Sequence, residues 1–528
     1  MAEYRVDLER QPIQDGEMLR LVLDGHAVVL AGVDGNYYAF RAACTHYGGP
    51  LDKGVLKGHT VMCPWHHACF DIRSGLRLEP PALNDLPTYP IRLEGREVII
   101  TIPDSPAAQP EPEAATDPRS FVIIGGGAAG NAAAEELRRA GFRGKITLIS
   151  AAPQVPVDRP NLSKDYLDGH AKPEWIPLRD AGWYAARNIE LRLNTRVAAI
   201  NPDAHTITLE DGSTVQYDSL LLATGAEPRQ LKVPGMDLEG VFTLRSLEDA
   251  DAIIAAAEAN SRVVIIGASF IGMEVAASLV GGRQVAATVV SPESTPFSHI
   301  FGERIGQLLK HEHETKGVQF KLENGVKQIV GSNGKVHGVE LDSGEVLPAD
   351  FVVVGIGVNP STDFLNGSGL SIDAHDNSVR VNAFLQTSAP DIYAAGDIAR
   401  WDNGTPEGQR IEHWRVAQQQ GVAAAQNMLG RRVDINHLVP FFWTHQWGIT
   451  LRSIGHASQW DEIIYRGDVE ARDFVAFFVA GGQLKAAVSC NRDEEIAALE
   501  FIMRDKLSLT PAQMQSSDFD LVVYATGN

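Results

Sequence analysis

Residues 120–140 read SFVIIGGGAAGNAAAEELRRA: an apolar run from Phe121 to Ile124, the turn Gly125-Gly-Gly127-Ala-Ala-Gly130, and an alanine-rich stretch from Ala128 to Ala140. A strand, a glycine turn and a helix in this order form a seat for a pyrophosphate. The glycines allow a tight turn and close backbone approach, and the unpaired N–H groups and dipole of the helix start favour negative charge. A lone GxGxxG is weak, but here the strand and the helix it needs stand on either side. A second unit repeats the pattern. The run Arg262 to Ile266, with Val263 to Ile266 its apolar part, leads into Gly267-Ala-Ser269-Phe-Ile-Gly272-Met-Glu274, and Ile271 to Val280 continues as a helix. Serine replaces the middle glycine. One nucleotide-binding fold used twice predicts parallel α/β sheets and two dinucleotides.

The 528 residues surrounding these turns are enough for three or four domains. With 67 acidic against 46 basic residues the net charge is −21, which repels phosphate backbones and acidic membrane surfaces and argues against a nucleic-acid partner. The start, MAEYRVDLERQ, lacks a signal-type apolar segment, and no run is long enough to span a bilayer, so a cytoplasmic protein without membrane association is expected. Residues 105–118, SPAAQPEPEAATDP, form a Pro- and Ala-rich spacer without periodicity, which would let the part before it swing or equally leave it docked. Ahead of the spacer, short β-rich runs (Ala27 to Ala31, Tyr37 to Phe40, Pro90 to Leu93, Glu97 to Ile102) predict a small antiparallel domain. From about Asn436 the pattern changes to strands such as Phe474 to Val479 and Leu484 to Ser489, then the helix-like Asp493 to Arg504, an α+β module.

Only four cysteines occur, too few to staple a chain of this length, so their positions point to chemistry. Cys44-Thr-His46-Tyr-Gly-Gly-Pro50 and Cys63-Pro-Trp-His66 offer two thiolates and two imidazoles from two loops. Such a set suits a tetrahedral zinc ion. It equally suits a [2Fe-2S] cluster with two Cys on one iron and two His on the other. Zinc sites more often pair two Cys on one loop with two His on a helix, whereas here each loop carries one of each. The glycine-proline surroundings resemble the Rieske family, which implies that Cys44, His46, Cys63 and His66 ligate the cluster. Compared with respiratory-chain Rieske proteins, Gly49 and Trp65 stand where that group has a disulfide, and Ala68 and Phe70 where it has hydroxyl groups. Fewer hydrogen bonds to sulfur leave the reduced cluster less stabilised, so a potential at the low end of the Rieske range is expected. His67 occupies a family glycine position and reads as a surface-loop residue with a strained backbone. Cys69 reads as a buried thiol.

Further strings resemble the two-dinucleotide flavoprotein family: Pro156-Val-Asp158-Arg159-Pro160-Asn-Leu-Ser-Lys164, Ala223-Thr224-Gly225, and Thr387-Ser-Ala-Pro-Asp-Ile-Tyr-Ala-Ala-Gly396-Asp397. Within it the likeness is to oxygenase-coupled ferredoxin reductases and, with the N-terminal module included, to the Rieske-bearing branch of the apoptosis-inducing-factor-like proteins. The implied organisation is a Rieske domain at 1–104, a linker at 105–118, an FAD-binding domain at 119–242 and 365–435, an NAD-binding domain at 243–364 and a reductase-type α+β domain at 436–528. By the same resemblance Gly125, Gly127 and Gly130 cradle the FAD pyrophosphate, Gly396 and Asp397 meet the ribityl chain, and Arg159 and Lys164 lie along the flavin. Glu412-His413-Trp414 and Phe442-Trp443 match the aromatic positions near the isoalloxazine, with core packing an equal reading for Trp443. The acid expected about 20 residues after the first turn is absent, and Ser150 stands in its place as a hydroxyl partner for the ribose.

The second dinucleotide is read after the strand Ala287 to Val290, where an acid binds a ribose 2′-hydroxyl and an Arg a 2′-phosphate. Ser291-Pro-Glu293 follows, and no Arg or Lys occurs between Gln284 and Glu303, which favours NADH over NADPH. Because Cys490 is the one cysteine after Cys69, the flavin sequences have no neighbouring dithiol, and disulfide-reductase chemistry is excluded. NADH gives up two electrons as hydride, whereas a [2Fe-2S] cluster takes one at a time, so FAD is the converter. Lys164 and Glu274 are the candidates for positioning the nicotinamide against the flavin. The expectation is an NADH-dependent oxidoreductase, monomeric or homodimeric, that feeds an unidentified one-electron acceptor protein: an oxygenase, a cytochrome or a ferredoxin-like partner. His46 and His66 would be the exit if their edges face solvent. Two alternatives stand beside it: an NADH-binding redox sensor of apoptosis-inducing-factor type with slow turnover, and a diaphorase whose N-terminal module only docks or holds zinc.

Overall fold

The computed structural model describes residues 2–104 and 116–527, so most of the proline-rich spacer lies outside the described residues. The chain separates into two compact units. One takes the N-terminal module, His437–Trp443 and the described residues from Leu451 onward, and the other takes the described residues from Thr116 to Asn436 together with Thr444–Thr450.

The second unit holds both glycine turns, each at the end of a central strand of a five-stranded parallel sheet. The first sheet runs in the order Ile189–Arg192, Lys145–Ile149, Ser120–Ile124, Ser219–Leu222, Ile392–Ala394. Phe121 to Ile124 are buried in it, as a continuous apolar run covered on both faces requires. The chain leaves this sheet at Leu222 and rejoins it at Ile392, and the second sheet is built in between. Its order is Val241–Thr243, Phe351–Val354, Arg262–Ile266, Ala286–Val290, Gln319–Lys321. Two glycines fix how the helices after these turns pack. A Cβ on Gly130 would lie 1.9 Å from the Gly125 carbonyl oxygen, and one on Gly421 would lie 2.2 Å from that of Ala129. Helix Ala128–Arg139 therefore sits tightly on its own turn and on helix Trp414–Met428.

In the other unit the N-terminal module consists of small antiparallel sheets. Met18–Leu23, His26–Val33, Asn36–Arg41 and Thr88–Tyr89 make one, and Val55–Lys57, Thr60–Met62, Cys69–Asp71 and Arg77–Glu79 another that bears the second Cys-His loop. The C-terminal part is a five-stranded antiparallel sheet whose first strand is Phe441–Gln446, backed by helix Asp493–Arg504. These parts share one core: Val55, Met62 and Cys69 of the N-terminal module are buried with Phe441, Ile454, Phe477, Ala498 and Ile502. Full burial of each large side chain contributes roughly 1.5–3 kcal/mol, so a shared core of this kind docks the module firmly. Of the two arrangements the spacer allows, swinging or docked, the module takes the docked one, on the C-terminal sheet and helix.

His67 corrects one expectation. Its backbone does lie in the left-handed region, at φ 58°, where a glycine would be easy. Its side chain is fully buried, however, and not at the surface. The ring stacks on Phe441 at 4.0 Å between centroids, and Nδ1 lies 2.5 Å from the carboxylate of buried Glu500. Glu500 in turn accepts a hydrogen bond of 2.6 Å from Arg504. Burial of a charged network is compensated by these bonds, and Lys57 and Asp505 add an ion pair nearby. A side chain at this position is needed for contact with the C-terminal domain, which is why the module departs from glycine there.

Candidate functional site

The two Cys-His loops bring their four donors to one place as two pairs. Cys44 and Cys63 are both buried, and their thiols hydrogen-bond to each other. His46 Nδ1 and His66 Nδ1 face each other at 3.2 Å, with ring centroids 4.9 Å apart. Cys63 is held toward the thiolate by the Cys44 hydrogen bond, by the N–H groups of Trp65 and His66, and by the charge of Arg452. The same pairing and burial push Cys44 up. Burial pushes His46 down to about 3, so this imidazole is neutral and its nitrogen is available as a ligand. A Cβ on Gly49 would lie 2.8 Å from Cys63 Sγ and 3.2 Å from the Trp65 ring, so only glycine leaves the sulfur its space. Among the described residues no three His, Cys, Asp or Glu side chains converge as ligands of a single ion. A thiol pair beside an imidazole pair fits a two-iron cluster with two protein ligands on each iron.

The positions that distinguish respiratory-chain Rieske proteins are also visible. None of the four cysteines forms a disulfide, and Ala68 and Phe70 are buried without a hydroxyl to offer. Backbone N–H groups remain the sulfur partners, from His46 to Cys44 and from Trp65 and His66 to Cys63. Cys69 is a buried thiol as expected, donating weakly to the His67 carbonyl at 3.5 Å. The edge of His66 does not simply face solvent: its ring lies against Trp443, with 4.4 Å between centroids. Tyr47, about half exposed, covers His46 at 4.1 Å.

At the first glycine turn Gly125 has φ 113° and no room for a side chain, since a Cβ would lie 2.1 Å from the Ala223 carbonyl oxygen. Ala223-Thr224-Gly225 is thereby packed against the turn. Gly127 starts helix Ala128–Arg139 with no side-chain cap and no acid in the first turn, which leaves the N–H groups and dipole to an anion. The Arg159 guanidinium approaches Gly127, and burial together with the charge of Arg245 pushes it down to about 10. A guanidinium beside an uncapped helix start suits a pyrophosphate. Arg245 also binds Asp397 at 2.9 Å, and Gly396 donates its N–H to Gln420 of helix Trp414–Met428 at 2.8 Å, while a Cβ on Gly396 would lie 3.2 Å from Ala129, so the Gly396-Asp397 turn is held between the two helices. Ser150 is buried after strand Lys145–Ile149 and accepts from the N–H of Ala152. Glu412 pairs with Arg410 at 2.6 Å, His413 begins helix Trp414–Met428, and Trp414 is half-buried at its start.

The second turn repeats the first: Gly267 has φ 112°, and a Cβ on Gly272 would lie 2.0 Å from the Gly267 carbonyl oxygen. Ser269 occupies the helix start without capping it. Glu274, one turn on, is buried and joined to Lys164 at 2.7 Å, to Ser163 Oγ at 2.5 Å and to Thr444 Oγ1 at 2.7 Å. Lys164 and Glu274, 110 positions apart, are thus one ion pair. Glu293 is half-buried just beyond strand Ala286–Val290. Sequence reasoning missed Arg245, Ser163, Thr444, Gln420 and Arg452. None lies in a glycine turn or Cys-His loop, and their roles arise from distant parts of the chain coming together.

Residues 119–421 match the pyridine nucleotide-disulphide oxidoreductase family, residues 3–90 the Rieske [2Fe-2S] domain, and residues 441–525 the reductase C-terminal domain. Apoptosis-inducing factor 3 of Homo sapiens is 36% identical over 507 residues, which cover 93% of this chain and 82% of that protein. Rhodocoxin reductase of Rhodococcus erythropolis is 36% identical over 403 residues, covering 76% of this chain and 93% of the relative. Among solved structures, a covalent putidaredoxin reductase–putidaredoxin complex matches with TM-score 0.73 and 33% identity over 78% of this chain and 99% of that one. No helix among the described residues is long and apolar enough to cross a membrane. With its own Rieske [2Fe-2S] and reductase C-terminal domains, this FAD- and NAD(H)-dependent oxidoreductase belongs to the pyridine nucleotide-disulphide oxidoreductase family, among apoptosis-inducing-factor-like proteins and ferredoxin reductases.

Proposed function

We propose that the chain takes electrons from NADH and passes them by way of FAD and a low-potential Rieske cluster to a one-electron acceptor protein. The observation that carries this reading is the thiol pair and imidazole pair in the same chain as two uncapped glycine turns. When bound, the flavin supplies hydride acceptance and single-electron release, and the cluster supplies a one-electron relay. The chain's residues do the positioning. Gly125, Gly127, Gly130 and Arg159 would seat one pyrophosphate, and Asp397 would hold the attached ribityl chain. Gly267, Ser269 and Gly272 would seat the other dinucleotide, and Glu293 its ribose, in keeping with NADH. Lys164 and Glu274, locked to each other and to Ser163 and Thr444, form a rigid charged surface suited to fixing the nicotinamide. Cys44, Cys63, His46 and His66 would hold the cluster.

Putidaredoxin reductase and other ferredoxin reductases among the relatives suggest a ferredoxin-like, oxygenase or cytochrome acceptor. The likeness to apoptosis-inducing factor 3 over 93% of the chain supports a slow-turnover NADH sensor as the second reading. Anaerobic NADH titration of the purified holoprotein separates the two. Flavin bleaching with a parallel rise of the reduced-cluster EPR signal is the expected result. A stable flavin–nicotinamide charge-transfer complex beside an oxidised, intact cluster would overturn it.

A further inference from the structure

The C-terminal domain touches the second ligand loop residue by residue. Trp443 lies on His66, Phe441 on His67, and Arg452 donates from Nε to the carbonyl of Trp65 at 2.8 Å. Trp65 is the residue between Pro64 and His66 in the Cys63-Pro-Trp-His66 string, so this guanidinium sits against the backbone that presents both ligands. Arg452 stands on strand Ile449–Gly455, opposite Ser489 of the neighbouring strand, and its side chain is only 9% exposed. It also pairs with Asp493, at the start of helix Asp493–Arg504, with 2.6 Å between Nη1 and Oδ1. The Asp493 carboxylate is 31% exposed, so its compensating charge is better screened by solvent than the charge it faces.

We infer that the C-terminal domain sets the potential of the cluster in this chain, with Arg452 as the positive charge that stabilises the reduced state and Asp493 as its partial counterweight. The inference rests on Cys44, His46, Cys63 and His66 being the ligands. Reduction adds one electron to the cluster, and a fixed cation behind a ligand loop, in a poorly hydrated place, favours the state with the extra negative charge. The module lacks the hydroxyl and disulfide devices of high-potential Rieske proteins, and Arg452 supplies from another domain an electrostatic contribution of the same sign. Arg452 is a positioning and tuning residue, acting on the cluster by way of the Cys63–His66 loop, whose Trp65 carbonyl it binds. Trp65 accepts the bond through its backbone, so the device does not depend on the tryptophan side chain.

The test is an EPR-monitored redox titration of the full-length holoprotein and its variants. In the wild type, the signal of a reduced histidine-ligated cluster establishes the ligand reading, and its absence defeats that reading and the inference with it. Where the signal is present, Arg452→Gln should lower the reduction equilibrium about tenfold, which is about 59 mV for a one-electron couple. Asp493→Asn should shift it the opposite way, because the counter-charge is gone and Arg452 remains. Arg452→Lys, which keeps the charge, should restore most of the loss. The Arg452→Gln shift should persist at high salt, as expected of a buried charge. If Arg452 merely shapes the loop, Arg452→Lys would be as disruptive as Arg452→Gln and Asp493→Asn would not raise the potential; that pattern, or an unchanged potential in all three variants, overturns the inference. Should Arg452→Gln fail to assemble a cluster, the direction of the Asp493→Asn shift decides.

Discussion

Replacing Glu500 by Ala removes the anion at the centre of the seam between the Rieske module and the C-terminal helix. Its carboxylate is fully buried and makes two charge-assisted contacts, 2.5 Å to His67 Nδ1 and 2.6 Å to Arg504. Breaking a buried pair from one side costs about 3–5 kcal/mol, because the remaining partners keep their desolvation cost and lose their compensation. At about 1.4 kcal/mol per factor of ten, even the lower figure makes opening of the seam roughly 10²-fold more frequent. Amide hydrogen exchange measures such opening locally, without requiring the whole protein to unfold in one step. Peptides covering Cys63–Phe70 and helix Asp493–Arg504 should exchange about 10²-fold faster in Glu500→Ala, while strands Ser120–Ile124 and Arg262–Ile266 keep the wild-type rate. Glu500→Gln, which preserves volume and a hydrogen bond, should fall between the two. Unchanged protection at the seam in a folded Glu500→Ala protein would show that the shared apolar core alone docks the module, and the role given to the buried charge would be wrong.

Gly130→Ala places a Cβ where the Gly125 carbonyl oxygen already stands, 1.9 Å away, so the purified variant should retain little FAD, and a wild-type flavin-to-protein ratio would contradict this. Glu274→Gln removes the anion paired with Lys164 and should slow flavin reduction by NADH by on the order of tenfold or more in stopped-flow measurements, with FAD content intact; an unchanged rate would take Glu274 out of the positioning role. His313 is buried between the carbonyls of Leu309 and Met273, and burial holds it below its ordinary 6.5. The unfolded chain therefore binds the proton more readily. The stabilisation due to neutral His313 is full above about pH 6.5 and is lost as pH falls from there toward the depressed folded value. The thermal midpoint should decline more steeply between pH 7 and 5 in the wild type than in His313→Gln, and parallel declines would refute the assignment.

The local chemistry of this protein was readable from its sequence because each piece is contiguous. A strand, a glycine turn and a helix follow one another at Phe121–Ala140 and again at Arg262–Val280, and backbone geometry makes glycine obligatory where the turn approaches the next loop. The Cys44-Thr-His46 and Cys63-Pro-Trp-His66 strings likewise carry their donors at fixed short spacing. What needed the tertiary structure was every pairing between distant residues: Lys164 with Glu274, Arg245 with Asp397, Arg452 with the Trp65 carbonyl, and His67 with Glu500. His67 shows the reason most clearly. In the sequence it is a polar side chain just after His66, at a position where the resemblance implies glycine, and local rules assign it to a surface loop. Its burial depends on a carboxylate 433 positions away, and on a core assembled from both ends of the chain. Local rules sense periodicity and turns, whereas the docking of two distant modules is decided by complementary apolar surface and charge that are neighbours only after folding.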